Sequence, residues 1–448
     1  MSTRLVPPPG AQRTVAAAQL ASAIGDGAYY TCSALYFTHV IGMSATRLGA
    51  ALAVAWAIGS VAGVPLGHLA DRRGPRGTAV LLAFATGAVV ASFLVVRSFP
   101  AFLIAVCLYA TTQSGLSAAR QALVGGLVAR AERTALLAHL QSTLNAGLAL
   151  GAALGGIVLS VGSRTAFLAA FAATAAGFLV SGLILLRLPA VPAVPASAAV
   201  SGRSDAGPRL AVLSDRPYAV VTLVNTVLLL RMPLLSLVIP LWIAARAEHL
   251  GWLGPALFVL NTAVVMGFQV RAARGVTGLR TASRAVRDAG VLLLASCVVF
   301  ALSAGDVPLW AMAALLVVAA TLQVVGEMKQ SAGSWQISFD LAPAHQTGQY
   351  QGFFGSGVAV ARTLGPLLLT TLLLDWGAPG WLLLGGLFLA AGCAMGPAVR
   401  WAERRRPVAA SEPAAVAEPS AVPEPSAVPD SVVVSEPSAV AELARARS

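Results

Sequence analysis

The sequence predicts an all-α integral membrane protein of twelve transmembrane helices in two six-helix bundles. Three observations lead there. Of the 448 residues, 57% are hydrophobic and 11% charged, and the mean hydropathy is +0.78, which excludes an ordinary soluble globular chain. The apolar residues gather into twelve segments, each long enough to cross a hydrocarbon core of about 30 Å. A Pro/Ala/Ser-rich stretch near the middle of the chain separates six of these segments from the other six.

In chain order the first six segments lie at roughly 14–38, 45–69, 77–97, 99–124, 134–161 and 164–187. The second six lie at roughly 216–243, 251–271, 286–304, 308–334, 349–375 and 379–401. The segment after MSTRLVPPPGAQR is too long and too polar-striped for a cleaved signal peptide, so it reads as a retained first helix. Residues 1–188 then form a first bundle, 189–213 a cytoplasmic linker and 214–402 a second bundle. Residues 403–448 form a tail in which EPAAV and three EPSAV repeats begin at Glu412, Glu418, Glu424 and Glu436. This composition cannot bury a core, and the tail is expected to be disordered in the cytoplasm.

The formal net charge is +12, yet the arginines cluster between apolar segments instead of along one polar face. That pattern points to a membrane and not to nucleic acid. Loops on one side receive Arg72, Arg73, Arg76, Arg130, Arg133, Arg271, Arg274, Arg280 and Arg404, while the other side receives little beyond Arg47, Arg97, Arg164 and Arg246. The positive-inside rule then makes the protein multi-pass with both termini cytoplasmic, in a bacterial-type plasma (inner) membrane. Cys32, Cys107, Cys297 and Cys393 each sit within an apolar run, which reads as core packing with no disulfide or metal site.

The stretch GVPLGHLADRRGPRG at 63–77 joins the second and third segments. Gly67 permits close approach of a neighbouring helix, and Gly74-Pro75 supplies the reversal. Asp71 can accept hydrogen bonds from nearby helix-start amides, while Arg72 and Arg76 stay in water or meet lipid phosphates. This G-x-L-A-D-R-x-G pattern resembles the signature between helices 2 and 3 of the major facilitator superfamily, with Pro75 where the family usually has a basic residue. In the fifth segment Gly147, Gly151, Gly155 and Gly156 form a small-xxx-small ridge. The ridge is similar to the fifth-helix motif of the drug:proton antiporter branch, with Ala152 replacing a proline. The loop FQVRAARGV at 268–276 lacks the acid of the first loop, so the halves are not equivalent.

Polar residues inside the spans are the candidates for chemistry. In the first segment Gln19, Ser22, Asp26, Tyr29 and Ser33 recur at steps of three or four, which puts them on one face turned into the bundle. Asp26 lies about halfway along, as either a proton site or a permanent partner of an arginine. In the tenth segment Gln323, Glu327, Gln330 and Ser334 form a second stripe, with Glu327 expected in the cytoplasmic third as a gate residue, a second proton carrier or the ion-pair partner of Lys329 or a loop arginine. Arg120, Arg231 and Arg362 either neutralise these acids or receive an anionic group from a substrate. Tyr29, Tyr30, Tyr36 and Phe37 are candidates to line an apolar pocket, and Trp242 and Trp252 read as interfacial anchors. Gly365-Pro366 in the eleventh segment is expected to loosen the helix and serve a moving gate.

The family resemblance, covering about residues 14–401, implies two bundles that rock about a central site. On that likeness Asp71 and Arg76 lock the inward-closed contact against the amino end of the eleventh helix. Asp26 or Glu327 exchanges a proton for substrate, the proton gradient supplies the energy and no cofactor is required. The expected function is proton-driven export of small amphipathic molecules by a monomer, with cavity residues Gln19, Tyr29, Tyr30, Arg231, Gln323 and Arg362. One alternative is an importer or uniporter of a small anionic metabolite held by Arg231 and Arg362. A second is a non-transporting sensor or scaffold that signals through the tail. No P-loop, HExxH or nucleophile elbow is present, which disfavours an enzyme.

Overall fold

The computed structural model describes residues 7–190, 210–246 and 248–405. Most of the expected linker and the repeat tail from 406 onward lie outside the described residues. The first half contributes α1 (Ala11–Leu35), α2 (Ala45–Arg73), α3 (Pro75–Ser92), α4 (Phe99–Leu127), α5 (Arg130–Val161) and α6 (Arg164–Leu185). The second contributes α7 (Arg216–Leu229), α8 (Ile239–Arg246), α9 (Leu253–Ala273), α10 (Leu279–Leu302), α11 (Leu309–Asp340), α12 (Thr347–Thr370) and α13 (Ala378–Arg405). A wide π turn at Leu234–Val238 leads into α8, and α7 and α8 together make one span, Arg216–Arg246.

Among the described residues eleven helices are long and apolar enough to cross a membrane. The twelfth is α1, whose 25 residues reach about 37 Å at 1.5 Å per residue. Its Gln19, Ser22 and Asp26 keep its hydropathy below that of the others. Short connections make successive spans antiparallel, so the turns after α2, α4, α9 and α11 share one end with Ala11 and Arg405. This arginine-rich end is called the basic end below. Its turns are built from local signals: Gly74, at φ +93°, takes the reversal between α2 and α3. Side chains such as Val61, Val95 and Trp310 are exposed, as the lipid-facing surface of a membrane bundle requires.

Buried side chains form two principal cores. One runs from Val15 to Leu188 with Phe339 added, the other from Val212 to Ala402 with Val64 and Ala138 added. In the first, α1 is held between α5 and α6. Gly147, Gly151 and Gly155 face Ala23, Gly27 and Thr31, and a Cβ on Gly151 would run into the Ile24 carbonyl oxygen. On the opposite side Thr174 donates to the Gly25 carbonyl at 3.0 Å. The glycine ridge of α5 is therefore a seat for the helix that carries Asp26, and Gly156, with nothing within 4 Å, takes no part in it.

Several local expectations change. Helix α12 runs through Pro366 and then widens into a π turn at Thr371–Asp375, and the seventh span is interrupted where Leu230 and Arg231 form a turn ahead of Pro233. Pro233 has no N–H to continue the ladder. Gly365 faces Pro233, where a Cβ would come within 2.7 Å of the ring, so the two prolines flank one helix contact. Tyr36 and Phe37 are fully buried in an aromatic cluster with Phe167, Phe171 and Phe102. Trp242 is also core: it meets Trp381 edge-on at 5.6 Å and donates to Ser303 Oγ at 3.0 Å, whereas Trp252 is exposed. Cys32 and Cys297 are buried, but Cys393 is exposed.

Because Gly151 admits no side chain, Gly151→Leu is expected to destabilise the protein by about 1–3 kcal/mol through overpacking. Thermal unfolding of the purified variant measures this, with Gly156→Leu, in open space, expected to match the wild type.

Candidate functional site

Four ionisable residues reach the same depth. Asp26, Arg231, Glu327 and Arg362 each lie 13 to 15 residues from the basic end of their helix, or about 20–22 Å along it. Glu327 lies 13 residues from the end of α11, which runs six residues past its expected end to Asp340.

On the first bundle, α1 and α4 face each other with matched polar stripes. Tyr109 Oη donates to Asp26 Oδ1 at 2.8 Å, Gln113 Nε2 donates to the same oxygen at 2.9 Å, and Gln113 also donates to Tyr109 Oη at 3.0 Å. Two turns further down α4, Arg120 Nη1 donates to Gln19 Oε1. Tyr29 is buried against Tyr109 and Phe93, while Tyr30 is 44% exposed. Asp26 makes no ion pair within 4 Å among the described residues. Tyr109 and Gln113 escaped the sequence reading, although their spacing to Arg120 keeps all three on one helical face.

On the second bundle the acid is paired. Arg231 Nη1 meets Glu327 Oε1 at 3.1 Å, and Asn261 Nδ2 donates to Glu327 Oε2 at 3.2 Å. The remaining Arg231 donors reach Gln330 Oε1 at 2.8 Å and Ser331 Oγ at 3.3 Å. Gln330 and Ser334 both donate to Asn225 Oδ1, at 2.7 and 2.6 Å. Gln323 Nε2 lies 3.5 Å from the Arg231 carbonyl in the broken turn. Lys329, one expected partner of Glu327, instead pairs with Asp288 at 3.1 Å. Arg231 and Arg362 form no common clamp. Arg231 is committed to Glu327, while Arg362 reaches across the bundles to lie over the Trp56 ring, 5.6 Å from its centroid.

The basic end is closed. Asp71 accepts from the Gly348 amide at 2.7 Å and the Gln349 amide at 2.9 Å, the first free N–H groups of α12. Gly67 and Gly63 of α2 meet Gly348 and Gly352 of α12 backbone to backbone, and a Cβ on Gly352 would strike the Gly63 oxygen. Arg76 stays within its own bundle and donates to the Leu186 carbonyl, and Arg72 is exposed. A second tie lies between α5 and α11: Arg130 Nε to Asp340 Oδ1 at 2.8 Å, Gln336 Nε2 to Asp340 Oδ2 at 2.9 Å, and Thr134 Oγ1 to Gln336 Oε1.

Two helical bundles closed at one end, with a polar, part-charged layer at mid-depth between them, define the architecture of an alternating-access membrane transporter. The Major Facilitator Superfamily model matches residues 15–366, and the chain belongs to that family. The fold is similar to the human organic anion transporter MFSD10 (TETRAN), at 20% identity and TM-score 0.64, covering 87% of this chain and 100% of that one. It is similar to a bacterial homologue of the iron transporter ferroportin in an outward-facing state, at 16% identity and TM-score 0.65, covering 88% and 99%. It is also similar to the E. coli fucose:proton symporter FucP, at 13% identity and TM-score 0.62, covering 87% and 98%. No curated protein matches the sequence.

Two outcomes follow from this geometry. Gly352→Leu should weaken the closed basic end by about 1–3 kcal/mol. Double electron–electron resonance between spin labels at Arg73 and Ala344 should then show a larger long-distance population than in wild type, and Gly355→Leu should not. Arg231→Met should cost about 3–5 kcal/mol by stranding Glu327, and Arg231→Met with Glu327→Leu should recover most of that in thermal unfolding.

Proposed function

We propose that this protein is a proton-coupled secondary transporter of small amphipathic molecules, with Asp26 as its proton carrier. The observation that supports this most is the company Asp26 keeps: a carboxylate at mid-depth whose hydrogen-bond donors, Tyr109 and Gln113, are both neutral. A carboxylate held in this way can take up and release a proton without breaking an ion pair. Glu327 cannot, since neutralising it would leave Arg231 unpaired at a buried site.

In this reading the basic end faces the cytoplasm of a bacterial-type plasma membrane, following the positive-inside rule. Both bundles come from one chain, so a monomer is the working unit. Rocking of the bundles would break the ties at Asp71 and Asp340 and expose the mid-depth layer to the other side. Each proton moved inward would contribute about 2.3 kcal/mol per 100 mV, plus any pH gradient. Export, the direction expected from the sequence, follows if proton and substrate displace one another. Uptake follows if they bind together.

The test is proton flux in proteoliposomes under an imposed pH gradient, with a panel of lipophilic compounds. Substrate-dependent flux should fall to the level of protein-free liposomes in Asp26→Asn and persist in the charge-free double variant Arg231→Met with Glu327→Leu. Flux that survives Asp26→Asn would sink the assignment.

A further inference from the structure

The charges around Asp26 are not joined in ion pairs, and the open cation among them points to a substrate class. In the second bundle Arg231 and Glu327 neutralise each other at 3.1 Å. Around Asp26 stand two guanidinium groups, Arg120 of α4 and Arg362 of α12. Among the described residues neither makes an ion pair within 4 Å. At mid-depth Arg231 and Arg362 match Glu327 and Asp26 when Asp26 is ionised, while Arg120 lies nearer the basic end, seven residues from the end of α4. Protonation of Asp26 leaves Arg362 without a counter-charge at that depth.

The two unpaired cations are not equivalent. Arg120 donates to Gln19, but its Nε and Nη2 are buried with no hydrogen-bond partner, so it is a fixed charge behind Asp26. Arg362 is exposed, lies over Trp56 and stands beside the half-open Tyr30. A guanidinium exposed at this depth favours an anion, and the aromatic faces next to it favour an apolar body.

We propose that the exposed face of Arg362 takes an anionic amphipath, with a carboxylate or sulfonate on the guanidinium and an apolar ring system against Trp56 and Tyr30. The coupling part of this proposal rests on the reading of Asp26 as proton carrier. The titratable and charged groups facing Asp26 are Tyr29 and Tyr30 of α1, Tyr109 and Arg120 of α4, and Arg362 of α12. Helices α5 and α6 meet α1 there with Gly151 and Thr174, which carry no charge. Protonating Asp26 removes the negative charge of the layer's one carboxylate that has no ion-pair partner within 4 Å among the described residues. By linkage, proton and anion each strengthen the binding of the other, so they travel together.

Isothermal titration of the purified full-length protein with naphthalene-2-sulfonate and its neutral isostere naphthalene-2-sulfonamide tests this. Wild type should prefer the sulfonate by about tenfold. Arg362→Gln should abolish the preference while leaving sulfonamide affinity unchanged, which also shows that the variant is folded, and Arg362→Lys should keep most of it. Acidification should tighten sulfonate binding in wild type and not in Asp26→Asn. Equal affinity for the two probes, binding of neither, or a preference that survives Arg362→Gln would overturn the anion site. A sulfonate preference that persists while pH and Asp26→Asn have no effect would keep the site and remove Asp26 as carrier. Asp26-dependent proton flux without any sulfonate preference would do the reverse.

Discussion

A carboxylate in the middle of a hydrocarbon slab must find its donors inside the protein, and much of this structure follows from how Asp26 does so. Its helix is brought close by backbone contact with α5, where glycines leave no side chain in the way. Once α1 is seated, Tyr109 and Gln113 on α4 lie at hydrogen-bond distance and complete the site. The ridge that resembles an antiporter motif therefore acts first through packing. It fixes the depth and direction of the acid on the neighbouring helix.

The second bundle solves the same problem differently. Glu327 is matched by Arg231, and the pair is embedded in amides and hydroxyls from α7, α9 and α11. Breaking the seventh span ahead of Pro233 places the Arg231 carbonyl within reach of Gln323. One bundle thus surrounds its carboxylate with neutral donors, and the other pairs its carboxylate with a cation. The division matches the unequal loops of the two halves, since only the first carries the acid Asp71.

Much of the fold was legible because a bilayer imposes long apolar runs and sorts arginines between its faces. The loop at 63–77 and the stripes on the first and tenth segments were legible for the same reason: polar residues there are rare enough to stand out. Pairings across helices were not. Nothing local to Glu327 says that Arg231, almost a hundred positions earlier, is nearer than Lys329 two positions on. Asp340 was missed because α11 outlasts its apolar stretch, and an acid beyond that stretch reads as loop. Trp242 misled because indole at a span end suits a membrane interface, and only tertiary contact with Trp381 and Ser303 shows it to be core.

The two ties at the basic end run in opposite senses. Asp71 is an acid of the first bundle received by backbone of the second, and Asp340 is an acid of the second bundle received by Arg130 of the first. Closure is therefore reciprocal, each bundle giving one carboxylate and taking one. The latch has two leaves, α2 on α12 and α5 on α11, and rocking one bundle against the other must part both.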